Sequence, residues 1–502
     1  MTNLSLFILI PLAAAFLIPV VSRKLKWFPD VCGIFTTLLL LLLSLQTMNQ
    51  ETVYAMGNWP APYGIVFVLD GFSCLLLIII NLVGFVSTLF SFEYIEYFYT
   101  SKLRYYSLFL LMLAGMNGVV LTGDLFNLFV FLEIASIASY ALVGFGCQSR
   151  ELEASFKYLV MSTVASSFIL LAIALVYGRF GSLNIAHIAL LIKQHGMNDT
   201  IIFSFVLLLV GFGVKSAIVP FHAWLPDAHP SAPAPISAML SGVVIKALGV
   251  YAIVRLVYNL FGMTALISNL LIYSGIISMI IGVLLALGQW DFKRLLAYHS
   301  ISQMGYIFLG FGLGTPLGIL GGAFHLFNHS LFKSLLFLNS GSVEYETGTR
   351  NLEKLGDLVQ KMPVTAFSSL IASLSISGIP PFNGFWSKLI IIIAAVQAGK
   401  PVVALWAVIG SILTLASFSK IQRYVFFGHG KNFDQNSFKA INEVPLLMKM
   451  SMIILAILCT FTGLLMINGV NGIFGPVVNV LDAGPHTYIE KILKSNFFIP
   501  GN

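Results

Sequence analysis

Lys215 closes the stretch LLVGFGVK, behind a run from Ile201 to Val214 that contains no charged residue. An ammonium group carried that deep into an apolar segment costs from roughly 3 to more than 10 kcal/mol, depending on the scale. Groups kept at such a cost pair with one another and mark ion or proton paths. Pro220 then interrupts the segment, which frees backbone carbonyls and lets in water, both able to hold an ammonium. In a dry setting a lysine parts with its proton more readily than in water, and a carboxylate alongside keeps the proton on. A lysine facing a movable carboxylate is therefore a one-proton switch.

The carboxylate to match it is Glu133, in LFNLFVFLEIASIASY. A buried pair kept for structure alone does little better than hydrophobic packing, so proton exchange is the reading taken. Lys246, in SGVVIKALGVYAIV, has no local partner and lies too centrally to reach an interface; it reads as a relay. His325, His329 and Lys333 recur every fourth residue and share one helix face. No cysteine or carboxylate accompanies the two histidines, and LFN between them lacks the glutamate of a zinc protease, so no metal site is read. A proton-carrying row is read instead, using the side chain whose ordinary pKa is about 6.5. Lys388 follows a second break, GIPPFNG, and reads as the terminal exchange group. Lys157, His299 and Lys333 form a secondary path. His222, Asp227 and His229 fit capping of the first break as well as proton intake. Asp70 and Asp124 sit where helix N-termini favour a carboxylate. Lys420 and Arg423 read as a snorkelling cluster.

These residues need long apolar elements to hold them. The 502 residues are 58% hydrophobic and 9% charged, against about 25% charged in soluble domains. That excludes a soluble globular protein. The expected class is an all-α polytopic membrane protein with about fourteen spans. The windows are 4–22, 28–48, 69–92, 105–122, 125–146, 155–178, 201–219, 234–259, 264–288, 295–313, 316–340, 364–397, 401–427 and 444–467. Residues 364–397 read as one broken helix, and about 477–498 as an amphipathic surface segment. The first span lacks a basic leader and a cleavage site, so it reads as permanent. Cys32, Cys74, Cys147 and Cys459 stand singly and read as small core residues. Lysine and arginine concentrate in connections between odd and even spans, which predicts both termini on the extracytoplasmic side. The net charge of +7 then reflects those loops and not nucleic acid.

The chain also repeats itself. FLEIASIASYALVGFG (131–146) aligns with AYHSISQMGYIFLGFG (297–312), which sets Glu133 on His299. ASFKYLVMS (154–162) aligns with GAFHLFNHS (322–330), which sets Lys157 on His325; the two broken helices then pair Lys215 with Lys388. About five spans separate the copies, an odd number, so the copies are inverted, as in secondary ion transporters. The expected organisation is residues 1–104 as the first three spans, 105–260 and 261–428 as two inverted five-helix repeats, and 429–502 as a last span and surface segment.

TGDLFNLFVFLEI (122–134), VKSAIVPFHAWLPDAHPSAPAPISAMLSG (214–242), FKRLLAYHSISQMGY (292–306) and GIPPFNGFWSK (378–388) resemble the antiporter-like subunits shared by respiratory complex I, membrane-bound hydrogenases and Mrp-type cation/proton antiporters. The first of these motifs and the lysine after the second break most resemble the Mrp D subunit. The resemblance implies fourteen helices, two inverted bundles and a hydrophilic axis at the membrane midplane. It implies Glu133 and Lys215 as the pair, Lys246, His325 and His329 as the relay, and Lys388 as the terminus. It also implies sister antiporter-like subunits and small membrane subunits as partners. The function expected is proton translocation within a multisubunit sodium/proton antiporter of the cell membrane. The rivals are the same pathway in a redox-driven complex, a hydrogenase or quinone reductase, and a stand-alone solute symporter. No redox centre, cofactor or metal is expected in this chain.

Overall fold

The computed structural model describes residues 3–48, 50–244, 246–433, 441–466 and 472–494, without the side chains of residues 244, 246, 247 and 494. Two helices, α1 (Leu6–Val21) and α2 (Phe28–Gln46), open the chain. A short antiparallel hairpin follows, β1 (Thr52–Ala55) against β2 (Val66–Leu69), which the sequence reading did not anticipate. Asp70 then caps α3 (Gly71–Phe98), its Oδ1 accepting from the amides of Phe72 and Ser73 at 3.1 and 3.0 Å. The next helices are α4 (Lys102–Leu121), α5 (Leu125–Val143) and the long α6 (Ser149–Phe180). A short lateral helix, α7 (Ile185–His195), leads to α8 (Asp199–Lys215), α9 (Leu225–Ser231), α10 (Ala234–Met239) and α11 (Lys246–Arg255). Beyond them run α12 (Ala265–Leu287), α13 (Phe292–Gly312) and α14 (Pro316–Thr347). Helices α15 (Pro363–Ser377), α16 (Asn383–Gln397), α17 (Pro401–Ile421) and α18 (Leu446–Phe461) follow. Two short helices, α19 (Gly475–Asp482) and α20 (Gly484–Lys494), end the described chain.

All fourteen expected windows fall on these helices. Among the described residues, nine helices are long and apolar enough to cross a membrane. Helices α13 and α14 are long too, about 32 and 48 Å at 1.5 Å per residue. They carry the polar row, and every residue of α14 from Gly318 to Val343 is buried. The apolar helices sheathe them: α12 lies along α13, and α15, α16 and α18 lie against α14. Large apolar side chains point outward instead, among them Phe35, Phe156, Leu171, Phe203 and Leu405. This inside-out arrangement suits a lipid or subunit surface, because water would penalise it.

The repeat reaches down to backbone pairing. Asp124 bridges Asn184, and Asp291 bridges Asn351, in the same antiparallel sense. Each aspartate caps its helix: Asp124 accepts from Asn127 N and Asp291 from Arg294 N, both at 2.8 Å. Helices α6 and α14 each have 32 residues and end on a left-handed glycine, Gly181 and Gly348. These anchors fix one register, in which Glu133 falls on Ser300 and Lys157 on Phe324. The sequence alignment was one residue off in each case, in opposite directions, because it followed side-chain likeness and not the helix caps.

Two smaller corrections follow. Cys147 is exposed, whereas Cys74 and Cys459 are buried. The 201–219 window ends early, because α8 stops at Lys215 and the chain turns through 216–224 before α9.

Candidate functional site

Ala217 and Gly378 mark the two breaks, each with a positive φ, 53° and 79°, and each followed three residues on by a Pro-Phe pair. With Ala217 set on Gly378, Lys215 stands before its break and Lys388 after its own, so the two lysines are not positional mates as the sequence alignment had them. Lys215 corresponds to Ile376. The Lys388 ammonium donates to the Ile376 carbonyl at 2.7 Å, so it reaches the equivalent place from the far side of the break.

The first site lies where α5, α6 and α8 meet. Lys215 is 1% exposed, and its Nζ lies 3.2 Å from Glu133 Oε1. It also donates to Ser136 Oγ at 3.0 Å and Ser162 Oγ at 2.5 Å. An ammonium has three protons, and here three oxygens receive them. The same Glu133 oxygen accepts from Ser166 Oγ at 2.5 Å. The carboxylate is thus held by one ammonium and one hydroxyl, and it is 26% exposed on its other side. Sequence reasoning expected freed carbonyls to host Lys215. Instead, the Val214 carbonyl accepts from the Ala217 amide and from Trp224 Nε1, both at 3.1 Å, and the lysine turns to side-chain oxygens. Ser136, Ser162 and Ser166 were missed, because serine in a small-residue stretch of a membrane helix reads as packing.

The second site runs along α13 and α14. His325 shares hydrogen bonds with Gln303 Oε1 at 3.2 Å and Ser387 Oγ at 2.9 Å, so it joins α13, α14 and α16. Lys333 donates to the Leu296 carbonyl at 2.6 Å, and His299 Nε2 lies 2.7 Å from Ser417 Oγ. His299, His325, His329 and Lys333 are all fully buried. The last station is Lys388, whose Nζ sits 4.5 Å from the centre of the Tyr306 ring. Tyr306 in turn lies 5.4 Å, centre to centre, from the His325 ring. Ser387, beside Lys388, closes the connection to His325. His325, Lys388 and their partners are therefore brought together, with Lys333 and His299 on the same two helices. Lys246 begins α11, and its side chain lies outside the described residues. Lys157 stands apart, 47% exposed, paired to Glu153 and Asp227.

Gly378 shows how closely the second break is fitted. A Cβ built there would lie 3.0 Å from Lys388 Cδ, at a φ that side chains rarely adopt. Gly378→Ala is expected to cost about 1–2 kcal/mol of backbone strain and to displace Lys388. Lower proton flux at near-normal assembly, measured on the assembled complex in vesicles, is the expected signature.

Residues 122–414 match the family described as NADH:quinone oxidoreductase/Mrp antiporter, TM. The chain belongs to this family. It is 36% identical over 452 residues to the D subunit of the Na(+)/H(+) antiporter of Alkalihalophilus pseudofirmus, covering 89% of each chain. It is 35% identical to the N subunit of the NADH-quinone oxidoreductase of Desulforudis audaxviator, covering 78% of each. Among solved structures, a chain of the Mrp complex from Dietzia sp. superposes with a TM-score of 0.89 at 30% identity, covering 98% of this chain and 99% of that one. A chain of the membrane-bound sulfane sulfur reductase, an archaeal respiratory membrane complex, gives 0.88 at 32% identity, with the same coverage. With the family established, the helices are those of a multi-pass membrane protein.

Proposed function

We propose that this chain is the proton-translocating D-type subunit of a multisubunit sodium/proton antiporter of the cell membrane, with both termini on the extracytoplasmic side. Sister antiporter-like subunits flank it, and the units 105–260 and 261–428 each carry half of the path. The observation that carries this reading is the Glu133–Lys215 contact at 3.2 Å around an ammonium 1% exposed. A proton rests on Lys215 while Glu133 is near, and it is released when the carboxylate or its charge moves away. Lys246, His325 and His329 pass protons across the centre, Lys388 exchanges them at the far end, and His299 and Lys333 serve as side members. The antiporter relative from Alkalihalophilus pseudofirmus supports sodium as the exchanged ion.

A second reading keeps the pathway and drives it by electron transfer in partner subunits. The likeness to the reductase chain, as strong as that to the Mrp complex, favours keeping it. One preparation separates the two. The assembly is isolated in gentle detergent, its subunits are identified, and it is reconstituted into vesicles. Membrane subunits without metal, and proton flux that requires sodium, are expected. Iron–sulfur partners and flux that requires an electron donor would replace the first reading with the second.

A further inference from the structure

A cavity of about 720 Å³ opens at the foot of α13 and α14, roofed by the end of α3, the start of α6, and α9 with Ala232 after it. It has room for on the order of twenty waters. Five cationic and five carboxylate side chains line it, so its charge is balanced. It is polar enough to hold water, and its balanced charge favours neither an anion nor a cation. At its rim, Lys157 pairs with Glu153 and Asp227, all at least 30% exposed. Its floor is drier. Lys293, 2% exposed, lies 3.1 Å from Glu344 Oε2, and Arg350 lies 3.5 Å from the other oxygen. Lys293 also donates to the Ala232 carbonyl at 3.2 Å.

This floor touches the buried row. Three residues beyond Lys293 on α13, the Leu296 carbonyl accepts from Lys333. His299 stands six residues beyond, about 9 Å along the helix axis. The fold itself does not demand charge here. In the register fixed by the two aspartate caps, Lys293 and Glu344 correspond to Phe126 and Tyr177 of the first repeat. Those two are 45% and 53% exposed aromatics, and the first repeat forms the same helix ends with them. Desolvating Lys293 offsets much of what the pair gains, so the pair is weak evidence of a purely stabilising role.

We propose that this cavity is the proton port of the second repeat, with Lys293 as its inward relay and Glu344 as the group that recharges it. The inference rests on the proton-conducting reading above. Glu344 takes a proton from cavity water and hands it to neutral Lys293, which passes one inward toward Lys333. Each transfer breaks one bond to hydrogen and forms one, and the sequence runs equally in reverse. Arg350 stays charged throughout and holds the carboxylate in place.

The test uses the whole assembly in vesicles, with Lys215→Ala as reference. Glu344→Gln and Lys293→Arg are each expected to lower proton flux about tenfold or more in assembled complex. Lys293→Arg is decisive, because arginine keeps the pair with Glu344 but does not give up its proton. Wild-type flux in it would reduce Lys293 to a structural cation and overturn the port. Should these variants not assemble, Ser231→Cys on the cavity wall is labelled with a bulky, membrane-impermeant thiol reagent. The exposed Cys147 is first changed to serine. Loss of flux on labelling supports the port, and undiminished flux in fully labelled complex overturns it. Normal flux in Lys215→Ala would instead strike the underlying reading.

Discussion

Lys215→Ala, in a complex that still assembles, is expected to abolish sodium-driven proton flux, a fall of at least about a hundredfold. The change removes the cation bonded to Glu133, Ser136 and Ser162. Glu133 and Ser166 keep their own hydrogen bond, and Glu133 keeps its partly exposed side, so the carboxylate is not stranded. The loss should therefore fall on transport more than on folding. Lys215→Arg should be nearly as inactive, since a guanidinium stays protonated at any working pH. It would also not fit a pocket in which three oxygens surround a single nitrogen. A pH-sensitive dye inside vesicles reads the flux, and the amount of assembled complex provides the control. Undiminished flux in correctly assembled Lys215→Ala would mean that protons bypass the pair.

Each member of the pair could be read from sequence, though not their contact, because an ionisable residue in an apolar run announces its own cost. Glu133, Lys215, His325 and Lys388 all stood out in that way, and the structure gives each a polar partner. What surrounds them was less legible. Serines 136, 162 and 166 and Gln303 cost little on a membrane helix, so nothing in the sequence distinguishes a ligand of the lysine from a packing residue. The repeat was legible in outline but not in register. Matching motifs tolerate a one-residue slip, whereas helix caps and the paired bridges at Asp124 and Asp291 do not. Lys157 illustrates the consequence. Set on His325 it read as a member of the chain, yet it faces an open cavity and two carboxylates. Lys293 and Glu344 were overlooked for the opposite reason. Near the end of its span Lys293 counts among the loop cations that set the topology, Glu344 drew no reading at all, and only tertiary contact shows that Lys293 is buried.

Asp70 shows the same limit, and it yields the largest expected effect on stability. The sequence reading made it a helix cap, which it is, but it also receives Arg255 from 185 residues away, at 2.7 and 2.9 Å to its two oxygens. Both side chains are at most 2% exposed. Arg255 is further held by Asn259 Oδ1 at 3.0 Å and stacked by the rings of Phe72, Tyr251 and Tyr488. The pair thus ties the start of α3 to the end of α11, beneath α20. Arg255→Met leaves a buried carboxylate uncompensated, and a loss of about 3–5 kcal/mol is expected. Asp70→Leu strands the guanidinium and also removes the cap, which adds about 1 kcal/mol. The double variant should recover much of the loss, because replacing both charges by apolar groups of similar volume is often close to neutral. Its shortfall should match the missing cap. Thermal unfolding of the purified complex, followed at one heating rate for all four proteins, gives the comparison. Single variants that are as stable as wild type would show that the two charges find water or other partners once separated.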